Sequence, residues 1–218
     1  MHRQLRWLDK FSVARFCAIR YASAKPFHSK FAAYGGVRHI KEIPLSYPTT
    51  ENYKDFAFLR SLQESGLLGW PIDFECNNQT AEQVAETLGY WFGHDNWKKD
   101  GGSFVQFGQD GSGSLYCLWL YPGLTGEAPI VFFGSEGERS LVCGSTREFA
   151  ALITSGLLPF EGGWVEPSEE DLNEIDWGVL KKLGLEHTKG LVVKPEQCQE
   201  SAETKHPSFE GWVSRHVG

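Results

Sequence analysis

Residues Phe104 to Ser145 read FVQFGQDGSGSLYCLWLYPGLTGEAPIVFFGSEGERSLVCGS, and this stretch decides the fold. Apolar, aromatic and β-branched residues come in runs of four to eight. The runs are punctuated by Gly108, Gly111, Gly113, Gly123, Gly126, Gly134 and Gly137, the pattern of four short strands joined by glycine-rich turns. In the second run Leu115, Cys117, Trp119 and Tyr121 fall on one side and Tyr116, Leu118 and Leu120 on the other, because side chains alternate along a strand. Neither side is polar, so the run reads as a central strand covered on both faces. Each large side chain buried there contributes about 2 to 3 kcal/mol.

The rest of the composition is that of an ordinary globular chain of 218 residues with an unusually aromatic interior, 14% Phe, Trp and Tyr. A chain of this length buries about 70% of its unfolded surface and needs no staple. No apolar run approaches the roughly 20 residues that span a membrane. The five cysteines (Cys17, Cys76, Cys117, Cys143 and Cys198) are odd in number, widely spaced and without C-x-x-C. They read as reduced thiols of a cytoplasmic protein, with Cys117 and Cys143 as small apolar core residues. Residues 1–30 carry seven Lys or Arg against Asp9 alone, while the remainder carries 14 bases against 27 acids. An acidic body argues against nucleic-acid binding, which needs a positive surface to displace counterions, and suits a basic protein partner.

Working outward, residues 1–50 form a basic extension and linker. Leu5, Leu8, Phe16 and Ile19 can line one side of a helix, and the composition fits a transit segment, an added surface helix or upstream translated sequence. A short strand is expected at Val37 to Ile43. The main domain is expected over 51–186, opening with a helix from Tyr53 to Leu67 and an aromatic-proline turn at Trp70-Pro71 that reads as packing. Thr80 with Gln83 makes a capping box for a helix ending near Gly93, with the stripe Ala81, Val84, Ala85, Leu88, Trp91 and Phe92. His94 beside Asp95 after it reads as a dipole partner rather than a catalytic pair. Ser145 with Glu148 opens a further helix, with Phe149, Leu152 and Ile153 facing inward. A third helix is expected from Pro167 or Ser168, with the stripe Leu172, Ile175, Val179, Leu180 and Leu183. Residues 187–218 read as a polar tail closed by a short helix docking through Phe209, Trp212 and Val213.

Catalytic and cofactor motifs are missing from the sequence. GQDGSGS lacks the Lys and the following helix of a phosphate loop, and holds only a fragment of a calcium loop. No zinc spacing, G-x-S-x-G or H-E-x-x-H occurs. No metal and no cofactor is therefore expected. What rises above this background is charge: Glu161, Glu166, Glu169, Glu170, Asp171, Glu174 and Asp176 come within 16 residues without a base, interleaved with Trp164 and followed by Trp177. Such acids ordinarily solvate a helix start. Their functional reading is a surface that steers and holds a basic partner, with the tryptophans as anchors. The candidate partner-binding set is Glu169, Glu170, Asp171, Glu174, Trp164 and Trp177, joined by Asp110, Glu136 and Glu138 at the hairpin tips.

The pattern FVQFGQDGSGSLYCLWL, APIVFFGSEGE and GSTREFAALI resembles the SUKH superfamily, the Smi/Knr-like proteins, with Gly108, Asp110, Gly111, Gly113, Pro129, Val131, Ser145 and Phe149 in matching places. The resemblance covers residues 53 to 160, and HPSFEGW more loosely. It implies an α+β fold, with a mixed, mainly antiparallel sheet of four to six strands flanked by helices. It also implies a non-catalytic binding protein: bacterial members resemble immunity proteins that neutralise a cognate toxin domain, often a nuclease, by occluding it. A regulatory scaffold of the fungal Smi/Knr-like type is the alternative, and an uncharacterised enzyme the less favoured third.

Overall fold

In the computed structural model, which describes residues 49–93 and 103–217, the Phe104 to Ser145 stretch forms four strands: β2 (Phe104–Asp110), β3 (Leu115–Trp119), β4 (Ile130–Phe133) and β5 (Arg139–Cys143). A two-residue strand, β1 (Phe74–Glu75), adds to the outer edge of β2, giving a sheet in the order β1-β2-β3-β4-β5. Every pairing in it is antiparallel. The expected mixed, mainly antiparallel sheet is wholly antiparallel among the described residues: β2 to β5 follow one another as a meander, each connection reversing the chain, and β1 lies on its edge. A separate hairpin, β6 (Leu158–Phe160) and β7 (Gly163–Val165), turns through Glu161 and Gly162, both at positive φ (48° and 75°).

Both faces of β3 are covered, as its alternation requires. On one face Tyr116, Leu118, Ile130, Phe132 and Val142 pack against Leu59 and Leu62 of α1 (Thr50–Glu64), Phe149, Leu152 and Ile153 of α3 (Thr146–Ile153), and Leu180 of α4 (Trp177–His187). On the other, Leu115, Cys117, Trp119, Val131, Phe133 and Leu141 meet Val84 and Leu88 of α2 (Ala81–Phe92). That second core also takes in Ala202 of α5 (Pro195–Lys205) and Phe209, Trp212 and Val213 of α6 (Phe209–Val217). Each core has an aromatic hub. Phe149 lies 5.2 to 5.5 Å from the rings of Phe74, Phe107 and Tyr116. Trp119 lies 4.8 to 5.8 Å from Tyr121, Phe209 and Trp212, and edge-to-face contacts of this kind add about 0.5 to 1.5 kcal/mol each to burial.

One irregularity re-aims the end of β2. Its pairing with β3 slips between Gln106 and Gly108. The bulge sets Gly108 beneath the ring of Phe74, where a Cβ would lie 2.1 Å from that ring's Cζ. Only glycine fits. The Gln106 side chain is buried and steadies the slip, its Nε2 donating to the Gly108 carbonyl at 3.4 Å and its Oε1 accepting from the Gln79 amide at 3.2 Å.

The helices confirm some expectations and move others. α2 starts on the Thr80–Gln83 capping box and stops at Gly93 in the left-handed conformation. At α3 the Ser145 hydroxyl accepts from the Glu148 amide, but Glu148 reaches back one residue further than expected, to the Gly144 amide at 2.7 Å. α1 begins earlier than Tyr53, on a second capping box between Thr49 and Asn52. The helix expected from Pro167 or Ser168 does not form there. Ser168 and Asp171 cap each other, and only a 3-10 turn, Asp171–Asn173, follows. α4 proper restarts at Trp177 with Asp176 as its cap, so Leu172 and Val179 of the expected stripe are exposed. Residues 187–218 are more than a polar tail: α6 docks through Phe209, Trp212 and Val213 as expected, and α5 places Cys198 in the first core and Ala202 in the second. The basic extension, the strand expected at 37–43, His94 and Asp95 lie outside the described residues.

Four cysteines among the described residues are free, and Cys117 and Cys143 are fully buried as expected. Burial raises both thiols, and raises those of Cys76 and Cys198 to about 11, which keeps all four in the unreactive thiol form.

A buried polar knot ties α1, α3 and α4 together. Asp55 accepts from the Thr146 hydroxyl at 2.5 Å and pairs with His187 Nε2 at 2.7 Å, while Asn52 donates to Thr146 at 3.1 Å and His187 stacks on Phe58 with ring centroids 4.0 Å apart. Asp55→Ala leaves Thr146 and His187 unsatisfied and should cost about 2 to 3 kcal/mol, with Asp55→Asn costing less. Urea unfolding monitored by tryptophan fluorescence measures both; a loss under about 0.5 kcal/mol would show that the knot is not needed.

Candidate functional site

Two hairpin tips on the α1/α3 side of the sheet are fastened to each other by a chain of small polar groups. Asp110 Oδ1 accepts from the amides of Ser112 and Ser114, both at 3.0 Å, and from the Ser112 hydroxyl at 2.6 Å. The Ser112 and Ser114 hydroxyls lie 2.7 Å apart, and Ser114 Oγ accepts from the Ser135 amide, at 3.1 Å, across in the β4–β5 turn. The β2–β3 tip and the β4–β5 tip, with Glu136 and Glu138, are thereby held side by side. The turn before β1 closes in from the other side. Asp73 packs its carboxylate so tightly on Gly111 that a Cβ there would lie 1.7 Å from Asp73 Oδ2.

The result is a cleft of ≈ 440 Å³ floored by Phe132, walled by the two tips and closed by the β6–β7 hairpin. Six carboxylates line it: Asp73, Asp110, Glu136, Glu138, Glu161 and Asp171. Among the described residues no Lys, Arg or His lines it, and none of the six carboxylates takes part in a salt bridge. The basic residue next to Glu138, Arg139, turns to the opposite face, where it pairs with Glu210 at 3.3 Å and lies over the Phe92 ring. Two large rings stand in the cleft wall open to solvent, Trp70 at 66% exposure and Phe160 at 58%. The lining thus offers hydrogen-bond acceptors, negative charge and aromatic faces, the complement of an organic cation.

The sequence-derived candidates divide on this geometry. Asp110, Glu136, Glu138 and Asp171 come together in the cleft. Glu169, Glu170 and Glu174 are exposed on and around the 3-10 turn that carries Asp171. The two tryptophans do not serve as exposed anchors. Trp177 is only 8% exposed and its indole donates to the Asp171 carbonyl at 3.2 Å. Trp164 is half-buried against Phe149 and lines a different cleft. The aromatic component comes instead from Trp70 and Phe160. Trp70 is turned outward by packing that the residues alone do not show, since Pro71 in the same turn is buried. That other cleft, ≈ 610 Å³ between β7, α4 and the segment leading into α5, is apolar with mixed charges, Lys181 and Lys194 against Glu166 and Glu196.

Among the described residues no group of three or more His, Cys, Asp or Glu is arranged to hold a metal ion, and no helix is long and apolar enough to cross a membrane. Compared with models of protein families, with curated proteins and with solved structures, the chain has no match.

Unneutralised like charges repel one another and work against the fold. Replacing Glu136 and Glu161 by Gln should therefore stabilise the protein at low ionic strength, by roughly 0.5 kcal/mol for each change, with the gain fading in molar salt as screening removes it. Thermal unfolding across a salt series reads this directly. Destabilisation at low salt would mean that the carboxylates are compensated within the fold.

Proposed function

We propose that this chain is a non-catalytic binding protein of the immunity type, which neutralises a basic toxin domain in the cytoplasm by occluding it. The observation that carries the reading is the cleft: six carboxylates without a basic partner among the described residues, and two exposed rings, gathered on one side of the sheet. Charge of one sign raises the association rate of an oppositely charged partner, and exposed aromatics supply the contacts that slow its release. The resemblance of residues 53–160 to the SUKH superfamily supports the same class, since its bacterial members resemble immunity proteins. A nuclease domain fits the chemistry well, because the cleft that holds a polyanion must itself be basic. Occlusion would use an interface of about 1,200 to 2,000 Å², of which the acidic cleft is the centre.

The test has two stages. The tagged chain is first used to capture partners from its source organism at low salt, and a captured basic domain is then expressed in a surrogate bacterial host with and without this chain. Co-expression should restore growth. The variant Glu136→Lys/Glu138→Lys should abolish protection and lower the association rate at least about tenfold at low salt. Retained protection by the charge-reversed variant would remove the cleft from the mechanism, and capture of many unrelated proteins without protection would favour a scaffold.

A further inference from the structure

We infer that the cleft selects arginine side chains over lysine, so that the segment it takes from a partner is an arginine-bearing stretch rather than a merely basic one. This rests on the acidic-cleft reading above and specifies its ligand.

The two exposed rings decide between the basic side chains. Charge alone does not distinguish them, since both carry a single positive charge. Geometry does. A guanidinium is flat and weakly hydrated, so it stacks on an aromatic face and still directs in-plane N–H donors at carboxylates; an ammonium is a compact, strongly hydrated charge that does neither as well. Trp70 and Phe160 line the same cleft as the six carboxylates, and both present most of their surface to solvent. Large aromatic side chains left this exposed in a fold that buries Tyr116, Phe132, Phe149 and Trp119 almost completely are not serving its core. The carboxylates beside them sit on supports of different stiffness. Asp110 is fixed by three hydrogen bonds and Asp171 by bonds from the Ser168 amide and hydroxyl, at 2.8 and 2.7 Å. Glu136 lies exposed at its hairpin tip and Glu138 is half-buried there. The fixed pair sets where a guanidinium lodges and the longer glutamates close on it. At ≈ 440 Å³ the cleft admits whole side chains rather than offering a flat face.

The test uses two capped peptides of equal length and charge, four Gly-Arg repeats and four Gly-Lys repeats, titrated calorimetrically into the full chain at low and physiological salt. The arginine peptide should bind about fivefold or more tightly than the lysine peptide. Trp70→Leu and Phe160→Leu should each shrink that preference to less than about twofold while leaving the lysine peptide's affinity unchanged. Tyr90→Leu, a change at a still more exposed ring on α2, away from the cleft, should alter neither. Equal affinity of the two peptides for the unaltered protein would overturn the arginine inference and leave the acidic-cleft reading standing. Failure of both to bind, or binding indifferent to Glu136→Gln/Glu138→Gln, would overturn the cleft reading too.

Discussion

A strand without a polar face has to be roofed twice, and the architecture of this protein follows from that requirement. All five residues of β3 and all four of β4 are buried. Leaving either side open would expose a contiguous patch of rings and aliphatic groups larger than monomeric proteins tolerate. Helices from both ends of the described chain are recruited for the purpose. α1, α3 and α4 close one side, α2 and α6 the other, and α5 adds Cys198 to the first core and Ala202 to the second. The ring contacts around Phe149 and Trp119 then fix how each cover sits, since edge-to-face geometry is directional where simple burial is not.

The cleft is the by-product of that arrangement, used to a different end. Helical cover stops at the hairpin tips, and there the glycine-rich turns stand out with only short polar side chains to brace them. The Ser135 amide donating to the Ser114 hydroxyl ties one tip to the other, so acids contributed by separate turns stand side by side. A preformed surface loses little conformational entropy on binding. Crowding six carboxylates together works against folding, and the surplus from two aromatic cores is what offsets it.

Much of this was legible in the residues. The strands at 104–110, 115–119, 130–133 and 139–143, the two-sided burial of β3, the capping boxes at Thr80 and Ser145, and the docking of Phe209, Trp212 and Val213 all followed from alternation, glycine placement and helical spacing. α5 did not. Its sequence PEQCQESAETK buries only Cys198 and Ala202, and small residues that let a helix lie close against β5 leave almost no apolar period to detect. The acids at 169–171 misplaced α4, because Ser168 and Asp171 make a helix-like cap that closes a single 3-10 turn. Within the site, Asp110, Glu136, Glu138 and Asp171 could be named from charge and turn position. Which tryptophans face outward could not, since Trp177 and Trp70 both sit next to acids or turns and only the packing of α4 and Pro71 separates them.

The bulge in β2 has a consequence for how this surface can change. Because sides alternate along a strand, the unmatched residue between Gln106 and Gly108 lets Phe107 and Gly108 share the Phe132 side of the sheet, the side on which Asp110 lines the cleft. Losing Phe107, the unmatched position, would regularise the pairing with Gly108 still opposite Tyr116 and Asp110 still on the Phe132 side, and would remove a ring buried 5.2 Å from Phe149. Point substitutions at Asp110 can therefore tune such a surface without touching the bulge, whereas a change in the length of β2 falls on the aromatic core beneath the cleft.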